Sequence, residues 1–178
     1  ETQAGWVPQL DELQNMLSLE ENIGHHIIGM HPEDRDERIE ALKSAMYLEQ
    51  FSGQKAKTLS GGQRQRVSIA KAMAGSPPVL LMDEPFSAVD EQTRRKFQED
   101  LLQLVKEQSK TFIFVTHSIE EAVYVSDQVA ILLPRPSRVS EIIKPSSFKN
   151  KDVDSIRKDS EYLDTVERIW KSLRSYVE

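Results

Sequence analysis

The sequence predicts an α/β fold in which helices flank a parallel sheet, and three observations support this prediction. The first is an apolar run at 79–83 that lies between prolines and has the length of a buried strand. The second is a pair of further strand-like runs at 112–115 and 129–133. The third is the helical pattern between these runs, because alternating strands and helices are typical of parallel sheets with right-handed crossovers.

Composition limits the class of protein. The 178 residues suffice for one domain with a sizeable core, and they contain no cysteine, which excludes disulfides and cysteine-based metal sites. We find no apolar run that could span a bilayer and no secretory signal. The net charge of -6 argues against a general nucleic-acid binder, and the excess of acids lies within residues 1–58.

The first part of the chain predicts the end of a strand and then two helices. Pro8 keeps the chain extended after the strand-like residues Gly5–Val7. Ser18 and Glu21 fit a capping box that opens one helix. A second helix is expected after Pro32, where apolar residues recur at helical spacing.

The middle of the chain predicts three more helices between the strands. A polar loop at 52–58 leads into a helix at 62–74. Asp90 is placed to cap a long helix at 91–109, and the 118–121 segment fits another capping box. From residue 79 onward, the expected order is therefore strand, helix, strand, helix, strand.

The last part of the chain predicts a connection and then one helix. Residues 134–157 are rich in proline, serine and lysine and are interpreted as a surface connection. Residues 158–178 regain helical periodicity, with one apolar stripe. The favoured interpretation is a helix that docks on the sheet domain, and a peripheral dimer contact is the alternative.

Two adjacent acids, Asp83 and Glu84, end the 79–83 strand. At the carboxyl end of a parallel strand, such a pair can face a metal and a phosphate. A second candidate feature is Ser60 with the two glycines that follow it, directly before a helix whose backbone N–H groups can receive an anion. Together the two features predict half of a nucleotide-hydrolysing site.

Residues 60–63 also fit a capping box, in which the Ser60 hydroxyl only satisfies its own helix. Glycine is a poor helix former, so the glycine pair favours close backbone approach over this alternative.

These motifs resemble those of the ABC (ATP-binding cassette) transporter ATPases, in the family's order from Gln9 to about Pro136. The matching motifs are the Q-loop (Gln9), the signature (Leu59, Ser60, Gly61, Gly62, Gln63), the Walker B end (Asp83, Glu84), the D-loop (Ser87, Ala88, Val89, Asp90) and the switch histidine (His117). The resemblance implies a P-loop NTPase-type parallel sheet with flanking helices and an inserted all-helical subdomain.

The resemblance implies ATP and Mg²⁺ as cofactors. Asp83 and Gln9 would bind Mg²⁺, partly through water, because Mg²⁺ gives up its water reluctantly. Glu84 would polarise the attacking water, and His117 would contact the γ-phosphate.

The resemblance also implies a dimer, with a second ATPase subunit that is either a copy or a paralogue. The signature residues Ser60, Gly61, Gly62 and Gln63 would then complete the site of the ATP that the other subunit holds. Asp90 would lie at the seam between the two subunits.

The family's P-loop is expected upstream of Gln9, and no Gly-Lys pair occurs in these residues. We therefore expect the carboxyl-terminal part of a cassette, inactive by itself. The expected divisions are the strand end and Q-loop (1–9), the helical subdomain (10–58), the signature helix with the Walker B, D-loop and H-loop core (59–133), the surface connection (134–157) and the carboxyl-terminal helix (158–178).

Phe86 after Asp-Glu-Pro resembles importers, and residues 132–139 with the tail resemble importers for nitrate, sulfonates and taurine. The expected role is an energy-coupling ATPase, peripheral at the cytoplasmic face of the cell membrane. It would bind transmembrane permease subunits, depend indirectly on an extracytoplasmic solute-binding protein, and bind no nucleic acid. The alternatives are a non-transport ABC ATPase and an inert fragment that acts only as an interaction module.

Overall fold

The chain divides into two compact units, Glu1–Val115 and Thr116–Glu178. The structure, a computed structural model, describes residues 4–108, 110–133, 136–145 and 153–174. No helix in these described stretches has the length and apolar character needed to cross a membrane.

Helices and strands alternate between residues 61 and 133, within about two residues of the predicted bounds. The strands are β1 (Ala4–Val7), β2 (Val79–Asp83), β3 (Thr111–Val115), β4 (Val129–Leu133) and β5 (Arg138–Ile143). The α-helices are α1 (Leu19–Gly24), α2 (Pro32–Ala45), α3 (Gly61–Met73), α4 (Glu91–Glu107), α5 (Ile119–Val125), α6 (Val153–Ile156) and α7 (Ser160–Arg174). Short 3-10 turns lie at His25–Ile27, Glu49–Phe51 and Ala56–Thr58.

The first unit contains a parallel sheet in the order β1-β2-β3, which confirms the predicted α/β class. The central strand β2 buries Leu80 and Met82 fully, as expected for a strand covered by helices. Val7 lies opposite Met82, and Asp83 lies opposite Val115. The three strands therefore end together, and this shared carboxyl edge carries the candidate acids.

The predicted helices of the 10–58 segment are present. The capping box of α1 is complete, since the Ser18 hydroxyl accepts from the Glu21 N–H at 3.1 Å and the Glu21 carboxylate accepts from the Ser18 N–H at 2.6 Å. Helix α2 starts at Pro32, whose missing N–H costs nothing at a helix start. Leu42 is buried, and α1 packs against α3.

Helices α3 and α4 bury the apolar stripes that their periodicity predicts. Val67 and Ala70 of α3 are fully buried, and so are Phe97, Leu101 and Leu104 of α4. Each helix has a side-chain cap at its first turn, and both caps lie at the candidate site.

The second unit corrects the expectation for β4. The sequence argument placed β4 in the parallel sheet, but in the described residues β4 pairs antiparallel with β5 in a separate two-stranded sheet. The connection between the two strands spans residues 134–137. A link this short can close a hairpin, whereas parallel pairing needs a crossover of a dozen or more residues.

The interpretation of residues 134–157 as a surface connection was wrong for part of that range, which contains β5 and α6. In β5 only Ile143 is buried, and Val139 and Ile142 are exposed. Backbone pairing with β4 therefore holds β5 in place. The sequence of β5 lacks the alternation of buried apolar residues from which a strand is predicted. Residues 134–135 and 146–152 lie outside the described part of the chain.

The predicted carboxyl-terminal helix is present as α7, which packs against α5 and β4. Tyr162 and Ile169 are buried, and the Tyr162 hydroxyl donates to the Glu120 carbonyl at 3.4 Å. Leu163 and Trp170 remain about half exposed. The predicted stripe is therefore divided between two faces, and its end at 175–178 lies outside the described residues.

Candidate functional site

The backbone at the carboxyl end of β2 fixes the position of Glu84. The Glu84 N–H donates to the Val115 carbonyl of β3 at 2.8 Å. The Glu84 carbonyl accepts from both the N–H and the hydroxyl of Ser87, at 3.1 and 2.9 Å. Both sides of this residue are therefore bonded to the sheet or to the following turn.

Glu84 also has a positive φ of 45°. The left-handed region costs a residue with a Cβ roughly 1–2 kcal/mol, so the surrounding bonds must offset this strain. Strained backbone of this kind is concentrated at sites where a side chain must point in one direction. Glu84 directly follows Asp83, the last residue of β2, at the edge of the sheet where β1 and β3 also end.

The turn after Glu84 is anchored by apolar packing and by a helix cap. Phe86 is buried and meets the Phe97 ring edge-on, with 5.5 Å between the ring centroids. The Asp90 carboxylate accepts from the Thr93 N–H at 3.1 Å, which confirms the predicted cap of α4.

Ser60 forms the capping box that the sequence argument treated as the less favoured alternative. Its hydroxyl accepts from the Gln63 N–H at 3.4 Å, and the Gln63 side-chain oxygen accepts from the Ser60 N–H at 2.8 Å. A hydroxyl oxygen that accepts in this way keeps its own O–H able to donate. Ser60 is exposed, so the cap and a ligand role are compatible.

The two glycines after Ser60 meet different surroundings. A Cβ at Gly61 would lie 2.6 Å from the Ala88 carbonyl oxygen, closer than real Cβ contacts come. A Cβ at Gly62 would meet Val89 and Thr93 at ordinary distances of 3.5 and 3.6 Å. Close approach therefore explains Gly61, but the neighbouring backbone belongs to this chain's own turn before Asp90.

Gln9 is exposed and lies two residues beyond β1. β1 ends at Val7, opposite Met82, and Gln9 follows it after Pro8 at the edge where β2 ends in Asp83. The structure thus brings Gln9, Asp83 and Glu84 to one edge of the sheet, and it separately brings Gly61 against the turn that ends at Asp90.

His117 lies in the second unit and is exposed. The segment around it is held by Thr116, whose hydroxyl accepts from the Ser118 N–H at 3.0 Å and donates to the Glu121 carboxylate at 2.9 Å. The position of His117 beside the acid pair stays a prediction.

The residues at the sheet edge carry the ligand atoms that suit Mg²⁺. Asp83 and Glu84 supply carboxylates and Gln9 supplies an amide oxygen, and oxygen is the ligand atom that Mg²⁺ prefers. No group of three or more His, Cys, Asp or Glu side chains in the described stretches could hold a metal ion. Asp83, Glu84 and Gln9 would therefore supply only some of the ligands, and phosphate oxygens and water would supply the others.

Sequence reasoning missed Arg64. Its guanidinium forms two hydrogen bonds with the carboxylate of Asp11, two residues after Gln9. The two partners are 53 positions apart, and no local pattern connects them.

Known proteins resemble this chain in sequence and in structure. The family model for ABC transporters matches residues 1–87. An uncharacterized ABC transporter ATP-binding protein of Methanocaldococcus jannaschii is 42% identical over 146 residues, which are 80% of this chain and 53% of that protein. This chain belongs to the ABC transporter family.

Further relatives refine the family assignment. A taurine import ATP-binding protein of Rhizobium johnstonii is 42% identical over 137 residues, which cover 76% of this chain and 52% of the relative. The solved structure of the cassette MJ0796, a dimer in a post-hydrolysis state bound to ADP and Pi, matches with a TM-score of 0.67 and 32% identity. This match covers 82% of the present chain and 64% of that one. The chain spans a little over half the length of these two curated relatives.

Proposed function

We propose that this chain is part of an ATP-binding and ATP-hydrolysing subunit that couples energy to an ABC-type importer. The observation that carries the proposal is the shared sheet edge, where Glu84 is held in a strained turn directly after Asp83 and where β1 ends two residues before Gln9. The taurine import relatives support a small anionic substrate such as taurine, another sulfonate or nitrate.

In this proposal, Glu84 orients the attacking water and accepts its proton. The bonds from its backbone to Val115 and Ser87 fix the position of its Cα at the sheet edge, so little backbone reorganisation would accompany the reaction. Asp83 and Gln9 would hold Mg²⁺, which supplies charge neutralisation to the phosphates when bound. His117 would contact the γ-phosphate.

The start of α3 would serve ATP that is held by a second subunit, either a copy or a paralogue. Ser60 would donate its O–H to the γ-phosphate, and the first N–H groups of α3, at Gly61 and Gly62, would add the favourable end of the helix dipole. The contact of Gly61 with Ala88 supports this arrangement, because it joins the helix start to the turn whose Asp90 would line the dimer seam.

Residues 10–58 would dock on the transmembrane permease subunits, at the cytoplasmic face of the membrane. Several large apolar side chains of this segment are exposed, with Leu10 at 82% and Ile28 at 64%. Leu13 of the same segment is buried and belongs to the core. A solute-binding protein would act on the ATPase only through the permease.

The test replaces Glu84 with Gln in the full-length subunit and compares ATP binding with ATP turnover. We expect ATP binding to persist and turnover to fall by roughly 10²–10⁴-fold, the range for a lost general base. Glu91→Gln is the matched control, because Glu91 is an exposed acid at the start of α4 and should leave turnover near that of the parent.

Two results would overturn the proposal. Turnover in the Glu84→Gln variant within a few-fold of the parent would remove the role of Glu84. A full-length parent that neither binds nor hydrolyses ATP would instead indicate an inert interaction module.

A further inference from the structure

Arg64 of α3 holds the segment that follows Gln9. Its Nε and Nη2 atoms donate to the two carboxylate oxygens of Asp11 at 2.9 and 2.5 Å. Paired parallel bonds between a guanidinium and a carboxylate fix orientation as well as distance. Both side chains are about four-fifths buried, at 20% and 19% exposed, so water competes little for the pair.

Further bonds lock both partners in place. The Nη1 atom of Arg64 donates to the Asn15 side-chain oxygen at 2.9 Å and to the Ala56 carbonyl at 2.7 Å. The Asp11 carboxylate also accepts from the Leu13 N–H at 3.3 Å. Arg64 therefore holds two separate stretches of the chain, residues 11–15 and Ala56, against the first turns of α3.

The Arg64–Asp11 pair joins the segment after Gln9 to the helical turn after Ser60. Asp11 lies two residues after Gln9, and Arg64 lies one helical turn after Ser60. The Arg64 N–H donates to the Ser60 carbonyl at 2.9 Å, so the residue that holds Asp11 and the candidate residue Ser60 belong to one hydrogen-bonded helical turn. A displacement at Asp11 must move this turn or break several buried bonds.

We propose that Arg64 is a positioning residue that links the Q-loop to the signature, so that movement at Gln9 displaces Ser60. This inference rests on the function proposed above, which gives Gln9 and Ser60 their roles. It adds a coupling within one subunit between Gln9, which would bind Mg²⁺, and Ser60, which would contact the ATP held by the second subunit.

The chain offers a matched control two residues further along α3. Arg66 donates to the Asp100 carboxylate at 2.7 Å and lies 4.5 Å from the centre of the Phe97 ring. The Arg66–Asp100 pair is more buried than the Arg64–Asp11 pair, at 11% and 6% exposed, but it connects α3 to α4. Arg66→Gln should therefore cost at least as much stability as Arg64→Gln without touching the Q-loop segment.

The first arm measures amide hydrogen exchange in the full-length subunit. Arg64→Gln should speed exchange across residues 10–15 by about tenfold, because this segment loses its anchor. Asp11→Asn should speed exchange at the amides of Gln63 and Arg64, about 50 residues away in the chain. Arg66→Gln should leave residues 10–15 unchanged.

The second arm measures the ATP concentration that gives half-maximal dimerisation, with Glu84→Gln as the parent so that ATP is not consumed. Arg64→Gln and Asp11→Asn should each raise this concentration by about tenfold, and the double variant should raise it no further. ATP binding to the monomer should stay within about twofold of the parent.

The outcomes separate the coupling from the proposed function. If the exchange result holds while the Glu84→Gln parent stays monomeric with ATP, the proposed function fails, and with it the role given to the link. Unchanged exchange at residues 10–15 in Arg64→Gln would overturn the coupling itself. So would an Arg64→Gln variant whose ATP concentration for half-maximal dimerisation rises no more than that of Arg66→Gln.

Discussion

The carboxyl end of β2 and the start of α3 both present candidate site residues, but they hold them by different contacts. Glu84 is fixed by backbone bonds to the next strand and the next turn, at the cost of a positive φ. Ser60 is fixed by a side-chain cap, by the fit of Gly61 against Ala88, and by Arg64. The first region depends on the sheet and the second on side chains from distant segments.

This difference predicts how each region tolerates change. A residue held by backbone bonds can lose its side chain without moving its neighbours. A helix start that fits against another backbone is sensitive to a single added atom, because packed interiors leave little room for shifts.

The largest effect is expected at Gly61. Gly61→Ala places a Cβ 2.6 Å from a backbone carbonyl, which must shift, and we expect a loss of about 1–3 kcal/mol in the free energy of unfolding. Gly62→Ala is the control, since its Cβ finds ordinary contacts and gains up to about 1 kcal/mol of helix propensity. Urea denaturation of the two variants measures both. Equal effects would mean that the approach to Ala88 does not explain the glycine.

A smaller effect of opposite sign is expected at Glu84. Glu84→Gly removes the strain of the left-handed conformation, so stability should be unchanged or should rise by up to about 1 kcal/mol, while turnover is lost. Glu37→Gly, at an exposed position inside α2, should cost about 1 kcal/mol. A loss at Glu84 as large as that at Glu37 would contradict the strained turn.

The sequence predicted those features that depend on neighbours in the chain. The caps at Ser18 and Asp90 use side chains within three residues, and the buried run of β2 shows in its composition. Glu84 was chosen as a candidate because it follows that run directly. Such features follow from local propensity and burial, which a single sequence carries.

Features that depend on distant partners were missed or misjudged. The second strand of the β4–β5 hairpin has almost no buried face, so no periodicity marks it. The glycine pair predicted close backbone approach, but nothing local shows that the neighbour of Gly61 is the Ala88 carbonyl, 27 residues away. The Arg64–Asp11 pair has no local signal, because long-range ion pairs follow from the fold and not from spacing.

The most direct test of the account is ATP-dependent dimerisation of the full-length subunit, measured by size-exclusion chromatography for Glu84→Gln and Ser60→Arg. Glu84→Gln should form a stable dimer with ATP, because ATP that is bound but not hydrolysed holds the two subunits together. Ser60→Arg should bind ATP as a monomer and fail to dimerise, because a bulky cation at the start of α3 would block the seam. A Ser60→Arg variant that dimerises normally with ATP, or a Glu84→Gln variant that hydrolyses ATP at the parent's rate, would contradict the account.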